Sequence, residues 1–176
     1  WTVGVLLQAN FGSRDELKVA GRALGRDSAA PCPMATTGWL GEELANARAQ
    51  AGAGSVIAIV ATDAPLLPDQ CRALARRVPL GLARTGTTGS HFSGDIFLAF
   101  STANEGSLGS RMGDPGAVET LSHVPWGAID PLYRAVVEAV EEAVLNALVA
   151  AEDMVGRDGH ASYALPHGEV RAAFGG

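Results

Sequence analysis

The chain has 176 residues and a formal net charge of -6, with a pI near 5.1; this length suits one domain with a sizeable core. Hydrophobic residues make up 47% and aromatics only 6%, so the core is built from Ala, Val, Leu and Ile. An acidic chain whose single lysine is Lys18 is a poor polyanion binder, which argues against nucleic acid as a partner, and no apolar run is long enough to span a membrane.

Thr2 to Asn10 (TVGVLLQAN) reads as a buried strand. Phe11 to Arg26 is turn-rich and compatible with a short hairpin. Beyond it, Glu42 to Gln50 suits a short helix, and the stretch near 41–54, ending in Ala/Gly residues, reads as a flexible linker. The register then changes abruptly. Ser55 to Thr62 (SVIAIVAT) is apolar on both faces, with Ile57 and Ile59 on one and Val56 and Val60 on the other, which predicts burial on both faces.

Pro68 suits the first turn of a helix, and Leu74, Val78 and Leu82 continue at helical spacing. Pro79 lies inside that pattern and is expected to kink or end the helix. A glycine-rich loop from Arg84 to Gly94 leads into a second doubly apolar strand, Asp95 to Ser101, and then a long loop to Trp126. Asp130-Pro131 reads as an N-cap followed by proline. The helix it opens carries Val136, Val140, Val144 and Leu148 on one stripe and is expected to run through Met154, with Gly156 as its stop. Buried strands interleaved with amphipathic helices imply layered α/β or α+β architecture. Two facing sheets with helices outside fit the doubly apolar strands, and so does a doubly wound sheet.

Cys32 and Cys71 form no metal-binding spacing, and His91, His123, His160 and His167 have no metal-like spacing with carboxylates. No phosphate-binding loop and no G-x-S-x-G elbow occur.

The unusual feature is the Gly54-Ser55 junction, where an Ala/Gly linker runs straight into a serine opening a buried strand. If Ser55 Oγ attacks the preceding carbonyl, the peptide becomes an ester and then hydrolyses, freeing an α-amine on Ser55. Free α-amines titrate at about 7.7 to 8.0, so this one can act as general base for its own hydroxyl without a histidine. Ser93 and Asp95, two positions apart, would share one face if the strand begins that early; together they could then hold the Ser55 amine. Asn10 offers a side-chain amide to a developing oxyanion.

The stretches VGVLLQANFG, GSVIAIVATDAPLLPDQ, SGDIFLAFSTAN and EEAVLNALVAAEDMVGRDG together resemble the family of L-aminopeptidase/D-Ala-esterase/amidases and β-peptidyl aminopeptidases, in the family's order. The resemblance implies a precursor that cuts itself into α and β chains, and an α+β four-layer α-β-β-α sandwich present here as its C-terminal portion. On that reading residues 1–54 end the α chain and residues 55–176 form the β chain. Ser55 is the implied nucleophile and Gly54 the last residue before the cut. Asn10 is the implied oxyanion donor, with Ser93 and Asp95 beside the nucleophile's amine. Some members carry Glu where this chain has Asp95.

The reading is therefore a serine aminopeptidase, amidase or esterase acting on short peptides, amides or esters with a free N-terminal amine. It is expected to need no cofactor and no metal, to depend on an upstream α-chain segment that holds part of the substrate pocket, and to form a homo-oligomer. A bacterial-type cytoplasmic location is expected, with the periplasm as the alternative. An acyltransferase or nylon-oligomer amidase on the same fold, usually with a threonine nucleophile, and an uncleaved non-catalytic subunit are the rival readings.

Overall fold

The computed structural model describes residues 1–30, 54–91, 93–107, 109–156 and 161–175. The helix expected at Glu42 to Gln50 and the linker before Gly54 lie outside these residues, as do Cys32 and His160.

The centre is a three-stranded sheet in the order β1 (Val3–Asn10), β4 (Ser55–Thr62), β5 (Ile96–Ser101). β1 runs antiparallel to β4, with Val3 opposite Thr62 and Asn10 opposite Ser55. β5 runs parallel to β4, Ile57 against Ile96 and Thr62 against Ser101. A parallel pair needs a crossover, supplied by helices α1 (Pro68–Ala75) and α2 (Val78–Arg84). The expected hairpin is there as β2 (Lys18–Val19) and β3 (Arg22–Ala23).

Pro79 resolves as a break. It stands in the first turn of α2, because its missing N–H and its ring would disrupt a helix continuing from α1. At the start of α1, Gln70 is fully buried with both ends of its amide hydrogen-bonded. Its Oε1 accepts from the Leu67 N–H at 3.0 Å and its Nε2 donates to the Val124 carbonyl at 2.6 Å. The first bond is half of a capping box; the second ties the long loop before Trp126 to the helical layer.

The long helix α3 (Asp130–Ala150) lays Leu132, Val136, Val140 and Val144 into the core. Its cap is Ile129 and Asp130 is already in its first turn, so the expected Asp130 cap is displaced by one residue. The helix also stops at Ala150, short of the expected Met154. Ala151 turns extended, and Met154–Val155 (β6) pair with Ala161–Ser162 (β7). Asp153 accepts the Ala164 N–H at 2.8 Å, a long-range contact that competes with another helical turn. A last helix, α4, covers His167–Ala173. α2 and α3 pack closely at Gly81, where a Cβ would meet Val140 Cβ at 2.6 Å.

All three core helices lie on the Val56, Ala58, Val60 face of the sheet. The opposite face carries Leu6, Ile57, Ile96, Leu98 and Phe100, and it is open: Leu6 is 72% exposed and Leu98 54%. The predicted burial of both faces is therefore corrected for the chain as it stands. Its core is an α+β unit of one helical layer on the three-stranded sheet. Each of those open-face side chains would contribute about 1.5 to 3 kcal/mol on burial, and nothing among the described residues covers them.

Candidate active site

Ser55 is the first residue of the central strand, held between β1 and the loop before β5. Side chains alternate along a strand, so with Val56 on the helical side, Ser55 faces the open side. Asn10, its direct partner across the antiparallel pair, faces the same way. Opposed residues in such a pair have Cβ atoms about 4.5 to 5.5 Å apart. That brings an amide and a hydroxyl 45 positions apart in sequence onto one face.

The loop before β5 closes the other flank. The Gly94 N–H donates to Ser55 Oγ at 2.9 Å. Asp95 Oδ1 accepts from the Val56 N–H at 3.0 Å and from the Ser93 hydroxyl. Ser93 and Asp95 thus meet as predicted, but for a different reason. The strand begins at Ile96, so strand periodicity does not align them; the turn of the loop does. The carboxylate grips the amide one residue past Ser55, which fixes the start of β4 beside it.

Gly54 packs so tightly on β1 that a Cβ there would lie 2.1 Å from the Asn10 carbonyl oxygen. Behind it a cavity of about 190 Å³ is lined by Gly54, Val56, Asp15, Glu16, Ser93 and Asp95, among others. Ser55 is not on that wall; its hydroxyl looks onto the open sheet face. The Gly94 amide is the participant that sequence reasoning missed. A backbone donor has no side-chain signature, and only the S-G-D spacing around it hinted at a built turn.

Among the described residues, no group of three or more His, Cys, Asp or Glu side chains could hold a metal. No described helix is long and apolar enough to cross a membrane. Cys71 is half-buried under β5, and burial pushes its thiol pKa up.

Solved structures share this fold, one of them described as of the N-terminal-nucleophile hydrolase fold. The L-aminopeptidase D-Ala-esterase/amidase of Ochrobactrum anthropi, described as a variant of that fold, matches at TM-score 0.80 and 38% identity, over 98% of this chain and 42% of that one. A Burkholderia sp. β-aminopeptidase matches at TM-score 0.82 and 39% identity, over 98% of this chain and 43% of that one. Residues 1–162 match peptidase family S58, and the chain belongs to that family. The β-peptidyl aminopeptidase BapA of Sphingosinicella microcystinivorans is 43% identical over 172 residues, which cover 98% of this chain and 42% of that protein. The chain thus spans less than half the length of the curated relatives it matches.

Proposed function

We propose that the protein containing this chain is a serine aminopeptidase, amidase and esterase that matures by cutting itself between Gly54 and Ser55. The observation that carries this reading is the Gly94 N–H on Ser55 Oγ, at the first residue of a strand whose neighbouring amide is held by Asp95. Ser55 Oγ attacks the Gly54 carbonyl carbon, the C–N bond breaks, and the nitrogen takes up the proton as the ester forms. Water then hydrolyses the ester, leaving a Gly54 carboxylate and Ser55 with a free α-amine. In turnover that amine takes the hydroxyl's proton as Oγ attacks the substrate carbonyl, and Asn10 steadies the oxyanion. The amine passes the proton to the departing amine or alcohol as its bond to the acyl carbon breaks, and water then hydrolyses the acyl-serine, releasing the acid and restoring the hydroxyl. Ser93 and Asp95 orient the amine. Acidic and amide chemistry of this kind is complete without a cofactor.

The bare sheet face supports an upstream α-chain segment as its cover, completing the four-layer sandwich with Ser55 at the junction of the two sheets. Residues 1–54 then close the α chain and 55–176 form the β chain. The relatives' names support short peptides, amides or esters with a free N-terminal amine, β-aminoacyl groups included, as substrates. Assembly into a homo-oligomer in a bacterial-type cytoplasm belongs to the same reading.

The test uses the full-length precursor. Intact mass should show two pieces split at Gly54/Ser55, and Ser55→Ala should abolish both the split and the hydrolysis of aminoacyl p-nitroanilides. A Ser55→Ala protein that still splits would sink the mechanism. A wild-type precursor that stays whole and inert would leave the uncleaved subunit as the reading.

A further inference from the structure

The chain is acidic overall, with a net charge of -6, yet one groove on its helical layer is basic. It holds about 380 Å³, and its lining includes Asp69, Arg72, Arg76, Arg77, Trp126 and Tyr133. Three guanidiniums against the single Asp69 carboxylate leave it at a formal charge of +2. It shares no residue with the cavity behind Gly54.

These side chains are arranged, not scattered. Arg72 and Arg76 stand one turn apart at the C-terminal end of α1, where residues four apart share a face and like charges repel. Arg72 gives one nitrogen to Asp69 at 2.9 Å, which leaves most of its donors for a second acceptor. Arg76 is exposed and has no ion pair with any described residue. Arg77 is held in place: its guanidinium lies 4.0 Å from the centre of the Tyr133 ring, a cation–π contact that ties it to α3. Trp126, in the turn before α3, presents a half-exposed indole to the same groove. Basic residues near a helix C-terminus are ordinary, but that preference does not account for two aromatic walls around them.

We propose that this groove binds a phosphate monoester carried on a planar ring, the phosphate on Arg72, Arg76 and Arg77 and the ring against Trp126. The charge count selects the head group. A phosphate monoester carries about −1.5 to −2 at neutral pH and has three strong acceptor oxygens. It therefore matches both the groove's charge and its three guanidiniums, whereas a carboxylate brings a single charge and two oxygens. Guanidinium forks also pair with phosphate oxygens two bonds at a time. The indole selects what the phosphate is attached to, since an aromatic ring stacks on a planar partner. The groove's volume lies within the range of small-molecule sites, about 300 to 1,000 Å³. None of this depends on the chemistry of Ser55.

The experiment measures binding to the full-length protein by calorimetry, with phenyl phosphate, inorganic phosphate and benzoate as probes. Phenyl phosphate is expected to bind with a Kd below about 1 mM at low salt, several-fold tighter than inorganic phosphate or benzoate, and to weaken as salt is raised. Arg76→Ala should weaken it about tenfold or more, the loss of a charge-assisted hydrogen bond. Arg134→Ala removes the same charge from an exposed position on α3 outside the groove, and should leave affinity within about twofold. Trp126→Ala should bring phenyl phosphate down to the level of inorganic phosphate. No binding of phenyl phosphate, equal affinity for benzoate, equal losses from Arg76→Ala and Arg134→Ala, or an unchanged affinity in Trp126→Ala each overturns the proposal. If Trp126→Ala does not fold, the two arginine variants decide, since both change exposed side chains. Binding should be the same in the Ser55→Ala precursor; its loss there would place the probe at the hydrolytic site and overturn the proposal as well. Because the readout is binding, failure of this site and failure of the hydrolase reading are seen separately.

Discussion

The Gly94 N–H donates to Ser55 Oγ at 2.9 Å, joining the loop before β5 to the first side chain of β4. An oxygen that attacks a carbonyl must be held in one orientation, and a backbone donor does this without side-chain entropy. A hydrogen bond of this kind to a neutral hydroxyl contributes about 0.5 to 1.5 kcal/mol. Under the proposed mechanism Gly94→Pro removes the donor that orients the hydroxyl and is expected to slow self-cleavage by about 2- to 10-fold, followed as the cleaved fraction over time on denaturing gels. An unchanged rate would reduce the contact to packing.

Asn10 stands opposite Ser55 on the same sheet face. In the proposed mechanism it is an oxyanion donor, which acts on the transition state rather than the bound substrate. Asn10→Ala in the mature enzyme should lower kcat by about 10²- to 10³-fold with little change in KM. A rise in KM at constant kcat would assign Asn10 to substrate binding instead.

Asp95 has a structural duty, and the proposed mechanism adds a second. Its Oδ1 satisfies the N–H of the buried Val56, and leaving such a group unpaired costs about 1 to 3 kcal/mol. Asp95→Ala should therefore lower the melting temperature. Asp95→Asn keeps an acceptor oxygen and should melt near wild type, yet, under the proposed mechanism, hydrolyse more slowly because the negative charge that would orient the Ser55 amine is gone. Equal activity of Asp95→Asn and wild type would restrict Asp95 to structure.

Leu98 is 54% exposed in this chain. If an upstream sheet covers it in the whole protein, Leu98→Ala should cost the precursor about 2 to 5 kcal/mol, as in a core. On a surface the same change stays within about 0.5 kcal/mol. The denaturant midpoint of the precursor separates the two outcomes.

Cys71 gives a pH dependence with a definite sign. Burial disfavours its thiolate and raises its pKa, so the reactive form emerges at higher pH than in an unburied cysteine. The alkylation rate of Cys71 should rise along a pH curve displaced upward from that of a small-molecule thiol. A curve displaced downward would contradict the burial.

Much of the site was legible as residue types. Ser55 stood out because a flexible run met a doubly apolar strand, and Asn10 because it ended the first strand. Ser93 and Asp95 were found by their spacing, although the loop turn, not strand alternation, brings them together. Gly94 was passed over because its contribution is a peptide N–H, which every residue but proline owns. The helix end at Ala150 was missed because the apolar pattern runs on past it, while Asp153 bonds a distant amide.

Local chemistry in the sequence by itself determined the three strands of the central sheet and the helices that back it, where Pro79 divides the crossover, and which serine opens the central strand. These follow from side-chain periodicity and backbone restriction, which act over a few residues. Only the tertiary structure decided that Asn10 and Ser55 are partners, that Gly94 touches the hydroxyl, and that one sheet face lies bare. Register and closure join residues tens of positions apart, and no short stretch of chain encodes which distant backbone it will meet.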